Sequence, residues 1–534
     1  MEHAYFPTRS DSSDLADQRR IQELSNIRVR RSGLITFAIK LGSTLTGLAF
    51  VILVTSNLSQ SDFGLWQLIS RVIGYAVFSV NVLSFWTIRY RARGMQLGKS
   101  VVVGALVFSA VMSLLYLAVS YGLAGSVSTP AGYSSNLFFF LFSTPQVGLY
   151  IVVAVIEAIL WGSAPEKASL GFGLYEIAKV AIGGVAVGLF HLSLEGAIIG
   201  VMGAQVVQVV SIVILTRREY SDRVSIPLIG KMVKTGWVAL LNQLQPLIAN
   251  FDFLLVALVT ASTLPIALFG AAYVFGAVIT YSGWLATGLY AGLLSGRDPG
   301  KSTAQVLEIQ YAFMLPMVIG EIVLATRLLH MLNPLYTTAA TTAVPILVVF
   351  AIASAFAALS QTFDNVITGT DTTDSLNTAD FRLYLKSKLF LVAKINIVLA
   401  SMYLIVVALL ARTIGPQSVS VLGYQPYTIL GIGWAAASLG MWGLAVALKL
   451  KQVWKVSKIS VAPRTAVAYV LGSAGFSVVL YLLDTMLRTP QRVVMQAVYI
   501  LGIGCIALSV YAVIVLTVSQ DLRRLVRSVL STAW

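Results

Sequence analysis

Fourteen apolar stretches, separated by gaps that alternate between basic-rich and basic-poor, constrain this chain more than any other feature it carries. Stretches long enough to cross ~30 Å of hydrocarbon lie near 33–57, 62–88, 100–124, 137–162, 173–191, 194–216 and 235–258, and again near 265–294, 304–328, 338–367, 389–411, 427–448, 465–485 and 493–518. The two terminal tails and the even-numbered gaps together hold thirty Lys and Arg residues, whereas the odd-numbered gaps hold only Arg327, Arg412, Arg488 and Arg492. Lys40, Arg71 and Lys179 fall inside stretches. One missed span would invert every later gap and erase this asymmetry. Because Lys and Arg accumulate on cytoplasmic loops, the pattern predicts an all-α polytopic membrane protein of about fourteen transmembrane helices with both termini cytoplasmic.

Composition agrees: 57% of residues are hydrophobic and 11% charged, against about half and a quarter in soluble domains. The formal net charge of +15 follows the loop pattern rather than forming a nucleic-acid surface, so no nucleic-acid partner is expected. Residues 1–32 are polar and do not resemble a cleaved signal, which makes the first apolar stretch both signal and span. The lone Cys505 excludes a disulfide framework, and His3, His191 and His330 are too few for a histidine metal or nucleophile site, so neither metal nor cofactor is expected. The gaps are too short to hold a soluble active site, which places function within the membrane and argues against an enzyme.

The chain also repeats itself. Gly33 and Gly64 bracket an apolar stretch that follows a basic residue, and Gly236 and Gly270 bracket a second one built on the same plan. This duplication divides the chain into a cytoplasmic tail (1–32), a first six-span lobe (33–218), a second six-span lobe (219–450), two appended spans (451–518) and a cytoplasmic C-terminal tail (519–534). Duplicated membrane halves point to transport rather than catalysis.

Between the first two spans the sequence reads Asn57-Leu-Ser-Gln-Ser-Asp-Phe-Gly64. Paired spans between Tyr175 and Thr216 are joined through Leu194-Glu195-Gly196-Ala197 and followed by Arg217-Arg218, and Leu332-Asn333-Pro334-Leu335-Tyr336 precedes the tenth span. In this order, over roughly residues 30 to 520, these motifs resemble the oligosaccharide flippases of the multidrug, oligosaccharidyl-lipid and polysaccharide exporter superfamily. The resemblance implies two lobes around a central cavity, and alternating access that carries a polyprenyl-linked glycan from the cytoplasmic to the outer leaflet of the cell membrane. Its expected partners are membrane lipids, the glycan substrate and a coupling proton or sodium ion, with the chain acting as a monomer.

Ionisable residues inside spans are costly and mark function by default. Lys40, about two turns from the cytoplasmic end of span one, and Arg71, between two and three turns below the outer end of span two, resemble the cations that attract the diphosphate in related lipid-linked precursor flippases. Each also has a bland reading, as a structural pair or a snorkelling side chain. At the repeat offset Lys40 is matched by Gln243, so the second lobe's lining is expected to be neutral, from Asn242, Gln243, Gln245 and Asn250, with the first repeat holding the phosphate and the second facing the glycan. Pro246 interrupts that helix, either as a gating bend or as a tolerated kink.

Glu157 is placed at the depth of Lys40, as its ion-pair partner or as half of a gate. Asp252 and Glu321 are isolated carboxylates suited to ion coupling. Glu176 and Lys179, spaced i, i+3, are read as a structural helix pair, and Asp364 as a boundary residue. Gly296-Arg-Asp-Pro-Gly300-Lys301-Ser302 has one residue too few between its glycines for a phosphate-binding loop, which argues against ATP-driven transport. Asp371 and Asp374 belong to a solvated turn. Two rival functions stay open: a cation-coupled multidrug or small-molecule antiporter of the same superfamily, and a polyprenyl-phosphate-sugar-dependent membrane glycosyltransferase.

Overall fold

Within hydrocarbon a backbone satisfies its N–H and C=O groups only inside helices or closed barrels, and the described parts of the apolar stretches are predominantly helical. A computed structural model describes residues 39, 42–43, 46–92, 97–126, 132–163, 165–217, 223–235, 240, 244–286, 289, 293, 298–338, 342–371, 385–414, 424–456, 463–487, 493–518 and 523. Eleven of the described helices are long and apolar enough to cross a membrane, and a twelfth span is a pair bent by 54°. Two shorter apolar helices, Thr46–Asn57 and Leu244–Thr260, take the first and seventh places. Each predicted stretch therefore overlaps a described helix.

The first half comprises α1 (Thr46–Asn57), α2 (Gln60–Phe78), α3 (Asn81–Ala92), α4 (Gly98–Ser126), α5 (Gly132–Phe142), α6 (Thr144–Ser163), α7 (Pro165–Gly183) and α8 (Leu194–Thr216). A short α9 (Ile226–Thr235) leads to the second half: α10 (Leu244–Thr260), α11 (Leu264–Thr280), α12 (Pro299–Val323), α13 (Ala325–Leu332), α14 (Val344–Gly369), α15 (Lys388–Ile414) and α16 (Pro426–Val456). The appended pair is α17 (Pro463–Met486) and α18 (Val493–Val518). Pro246 lies in the first turn of the described α10, where a missing N–H leaves no carbonyl of the same helix unmet.

Polarity runs inside out, as the bilayer requires. Leu106, Val107, Leu114 and Leu115 of α4 and Val498, Leu501 and Val513 of α18 are exposed, while Gln205, Gln208, Gln310, Asp252 and Lys449 are buried. The duplicated glycines explain where the halves meet. A Cβ on Gly64 would lie 2.3 Å from the carbonyl oxygen of Thr263, and one on Gly270 would lie 3.2 Å from Cγ of Gln67. Without those side chains α2 and α11, the equivalent second spans of the two repeats, approach backbone to backbone at Gly64 and backbone to side chain at Gly270, and Ser61 Oγ and Thr263 Oγ1 share a 3.1 Å hydrogen bond.

Both signature turns close this same end. The Ser59 hydroxyl caps α2, accepting from the Asp62 N–H at 3.1 Å and donating to Asp62 Oδ2 at 2.7 Å, so Ser59 is the N-cap of α2 and Asp62 holds its hydroxyl in place. Asn333 Oδ1 accepts from the Leu335 N–H at 3.0 Å while its Nδ2 donates to the Thr55 carbonyl at 3.2 Å. Tyr336 packs its ring edge-on 6.1 Å from that of Phe63.

Candidate functional site

Arg71 leaves α2 and crosses the seam. Its Nη1 donates to Asn250 Oδ1 on α10 at 2.7 Å, and its guanidinium lies 4.3 Å from the ring centre of Phe253 and 4.5 Å from that of Tyr273. One turn on, the Tyr75 hydroxyl donates to the Asn250 carbonyl, and its ring stacks 4.5 Å from Phe251. A planar cation can hydrogen-bond in its plane and still present its faces to aromatic rings, so a lysine here could not make the same set of contacts.

Behind this contact sits Asp252, 6% exposed. Its Oδ2 accepts from the Tyr403 hydroxyl of α15 at 2.5 Å and from Trp434 Nε1 of α16 at 3.0 Å, while its Oδ1 accepts from the Phe253 N–H at 2.7 Å. The Trp434 indole stacks on Phe269 at 3.9 Å with 6° between planes. A buried carboxylate needs such donors, and α10, α15 and α16 supply them with Arg71 close by.

Among the described residues, three cavities lie around the seam. The largest, about 540 Å³, is lined mainly by the first half, including Trp66, Gln67, Gln146, Tyr175, Glu176 and Lys179. A second, about 240 Å³, is lined by Arg71, Tyr75, Pro246 and Asn250, and a third, about 260 Å³, by Gln245, Asn250, Asp252, Tyr273 and Tyr403 among others. Ser70 and Gly74 line the first and second, Asn250 the second and third, and Tyr273 the first and third. The chambers thus adjoin one another around Arg71, Asn250 and Tyr273. The largest lies within the ~300–1,000 Å³ range of small-molecule sites.

Among the residues singled out from sequence, Arg71, Gln245, Asn250 and Asp252 gather here. Arg71 and Asn250, expected in the linings of different lobes, are bonded to each other. Lys40, Asn242 and Gln243 lie outside the described residues. Glu157 is half-buried on α6, away from this cluster in sequence and in the lining of the three cavities. Glu321 on α12 is buried, and its Oε2 has no hydrogen-bond partner among the described residues.

Two readings are refined. Asp364, near the end of α14, is not a lone carboxylate, and Lys449 lies in a helix rather than a loop: α16 runs to Val456, past the expected end near 448, and places Lys449 fully inside the protein. Its Nζ lies 2.7 Å from Asp364 Oδ2 and donates to Ser360 Oγ at 2.6 Å, and Asn396 Nδ2 donates to the same carboxylate at 3.3 Å. Glu176 and Lys179 do pair, at 2.8 Å, but the pair also lines the largest cavity. The i, i+3 spacing revealed the bond and not the cavity. Tyr403 and Trp434 went unnoticed because the sequence gives no sign of which distant helices pack on Asp252.

No protein-family model and no curated protein sequence matches the chain. Solved structures do. "Lipid II flippase MurJ, inward closed conformation" aligns at 14% identity and TM-score 0.62 over 90% of this chain and 99% of that one. The inward-facing conformation of a multidrug resistance MATE family transporter of the MOP superfamily aligns at 15% identity and TM-score 0.56 over 79% of this chain and 98% of that one. A MOP superfamily transporter from Pyrococcus furiosus, described as having a reversed polarity of its binding pocket, aligns at 15% identity and TM-score 0.51 over 80% and 95%. The chain is a multi-pass membrane protein with the fold of MOP superfamily transporters.

Proposed function

We propose that this protein is a flippase that moves a polyprenyl-linked oligosaccharide or polysaccharide precursor across the cell membrane by alternating access. One observation carries the reading: three adjoining cavities surround a seam between two repeat halves, and that seam is sealed at the Thr55–Gly64 end by Gly64, Ser61, Thr263 and Asn333. With both termini cytoplasmic, as the basic residues lead one to expect, the sealed end is the outer one. The likeness to a lipid II flippase extends over 90% of this chain at TM-score 0.62, against 79% at 0.56 for the multidrug transporter, which supports the flippase over the antiporter.

The chemistry fits the task. A glycan headgroup and a diphosphate carry polar groups that would each cost several kcal/mol if left unsatisfied in hydrocarbon. A polar cavity between two lobes takes the headgroup while the polyprenyl chain stays in lipid. Arg71, when the seam opens, exchanges Asn250 for the diphosphate. Gln245 and Asn250 line the cavities beside it, and the substrate contacts expected of Lys40, Asn242 and Gln243 fall outside the described residues. Asp252 serves as the ion-coupling carboxylate, with Glu321 and Glu157 as further coupling or gating groups.

The test is reconstitution in liposomes with a fluorescent lipid-linked oligosaccharide, read by its accessibility on each leaflet. Faster movement than in protein-free vesicles supports the reading. Movement at the protein-free rate, together with gradient-driven export of cationic drugs, sinks it in favour of the antiporter.

A further inference from the structure

The largest cavity contains an ion pair that the seam does not use. Lys179 Nζ lies 2.8 Å from Glu176 Oε1, with the two side chains 12% and 8% exposed, and Thr46 Oγ1 donates to Glu176 Oε2 at 3.2 Å. The ammonium also lies 5.0 Å from the Tyr175 ring centre and 5.5 Å from that of Phe50. Both residues of the pair line the cavity. An ammonium has three N–H donors, and among the described residues Glu176 is its one hydrogen-bond acceptor. Among the described residues, two of its donors have no acceptor in the protein and face the cavity's ligand space.

The helix is shaped around this point. Just beyond Lys179, α7 passes into a π-helical segment, Gly184–Leu189, a geometry concentrated at functional sites because it shifts the register of the helix by one residue. At the junction a Cβ on Gly183 would lie 2.5 Å from the Phe50 ring, and one on Gly200 of α8 would lie 2.9 Å from Gly183 Cα. These glycines let Phe50 reach into the cavity beside the ammonium. A surface i, i+3 pair would need neither the close packing nor the cavity.

Resting on the flippase reading, we propose that Lys179 is an anion site for the substrate's diphosphate and that Glu176 is its built-in counter-ion. With the cavity empty, Glu176 neutralises Lys179; when substrate enters, a phosphate oxygen takes the place of Glu176 Oε1, and Glu176 keeps Thr46 as its donor. No bond is made or broken in the exchange. The cation is held in place without a bare charge in a low-dielectric cavity, where an unpaired ion is costly.

The experiment measures equilibrium binding of labelled farnesyl diphosphate to the full-length protein in detergent, with farnesol and inorganic pyrophosphate as comparison ligands and thermal unfolding recorded for every variant. Lys179→Met is expected to weaken farnesyl diphosphate binding about tenfold or more, the loss of one charge-assisted hydrogen bond. Glu176→Gln is expected to tighten it several-fold, and Lys179→Arg to retain it, while farnesol binding stays the same throughout. Equal weakening by Lys179→Met and Glu176→Gln, or unchanged binding in Lys179→Met, makes the pair structural and overturns the proposal. Pyrophosphate bound as tightly as farnesyl diphosphate assigns the site to a free anion and overturns its headgroup role. If Lys179→Met does not fold, the direction of the Glu176→Gln change decides. Flipping in liposomes with no effect of Lys179→Met rejects this site alone; the expected binding pattern without flipping rejects the transport reading and leaves the anion site.

Discussion

Arg71 Nη1 donates to Asn250 Oδ1 at 2.7 Å across 179 residues of sequence, tying the second helix of one repeat to the first helix of the other. The bond joins a cation expected to hold the phosphate in the first lobe to an amide expected in the neutral lining of the second. In this conformation Arg71 is occupied, so a phosphate must compete for it. A double-mutant cycle of Arg71→Ala and Asn250→Ala should show a coupling of about 1–3 kcal/mol in unfolding measurements. Additive effects would mean that the two side chains do not hold the seam.

Lys449→Met should be among the most damaging substitutions in the second half. It removes the partner of Asp364, which is tied to the cation at 2.7 Å, and breaking a buried pair from one side costs about 3–5 kcal/mol. Asp364 retains some exposure, which pulls the expected loss toward the lower end. The double variant Lys449→Met/Asp364→Leu should recover most of it in thermal unfolding. No recovery would show that the network does more than neutralise charge.

Glu321→Leu should raise the unfolding temperature. The buried Oε2 has no hydrogen-bond partner among the described residues, so an apolar side chain of similar volume removes a desolvation cost. If the carboxylate couples ion movement to transport, the same variant loses gradient-dependent flipping, a trade of function for stability. A more stable variant with normal coupling would remove Glu321 from the mechanism.

Gly200→Ala should destabilise more than Gly183→Ala. The Cβ at Gly200 meets backbone at 2.9 Å, whereas the Cβ at Gly183 meets the Phe50 ring at 2.5 Å, and a ring can rotate away where a helix backbone cannot. Overpacking of this kind costs about 1–3 kcal/mol. Gly183→Ala, by moving Phe50, should alter ligand binding in the large cavity more than it alters unfolding. The opposite order in either measurement would contradict the packing described.

Much of this architecture was legible in the sequence because the bilayer leaves few choices: an apolar stretch between basic gaps has to be a helix. The turn from Asn57 to Gly64 was legible for a local reason, since Ser59 and Asp62 cap a helix from within four residues. Asp252 was legible as a costly carboxylate, but Tyr403 and Trp434, its donors from helices 151 and 182 residues away, were not. Lys449 was misread because hydropathy ends a span where charge begins, while its Nζ reaches Asp364 inside the bundle. Lys179 was explained by its own helix, and only the packing of α1 and α8 around Phe50 and the two glycines shows that it lines a cavity.

The most direct test of alternating access uses the contact of Ser61 with Thr263, whose hydroxyl oxygens lie 3.1 Å apart across the sealed end. In a background where the exposed Cys505 is replaced by serine, Ser61→Cys and Thr263→Cys together bring two sulfurs close enough for a disulfide of ~2.05 Å. The account requires that oxidation stop movement of a lipid-linked oligosaccharide in liposomes, and that reduction restore it. Flipping that continues at full rate with the disulfide formed would show that this end does not open, and would contradict the mechanism.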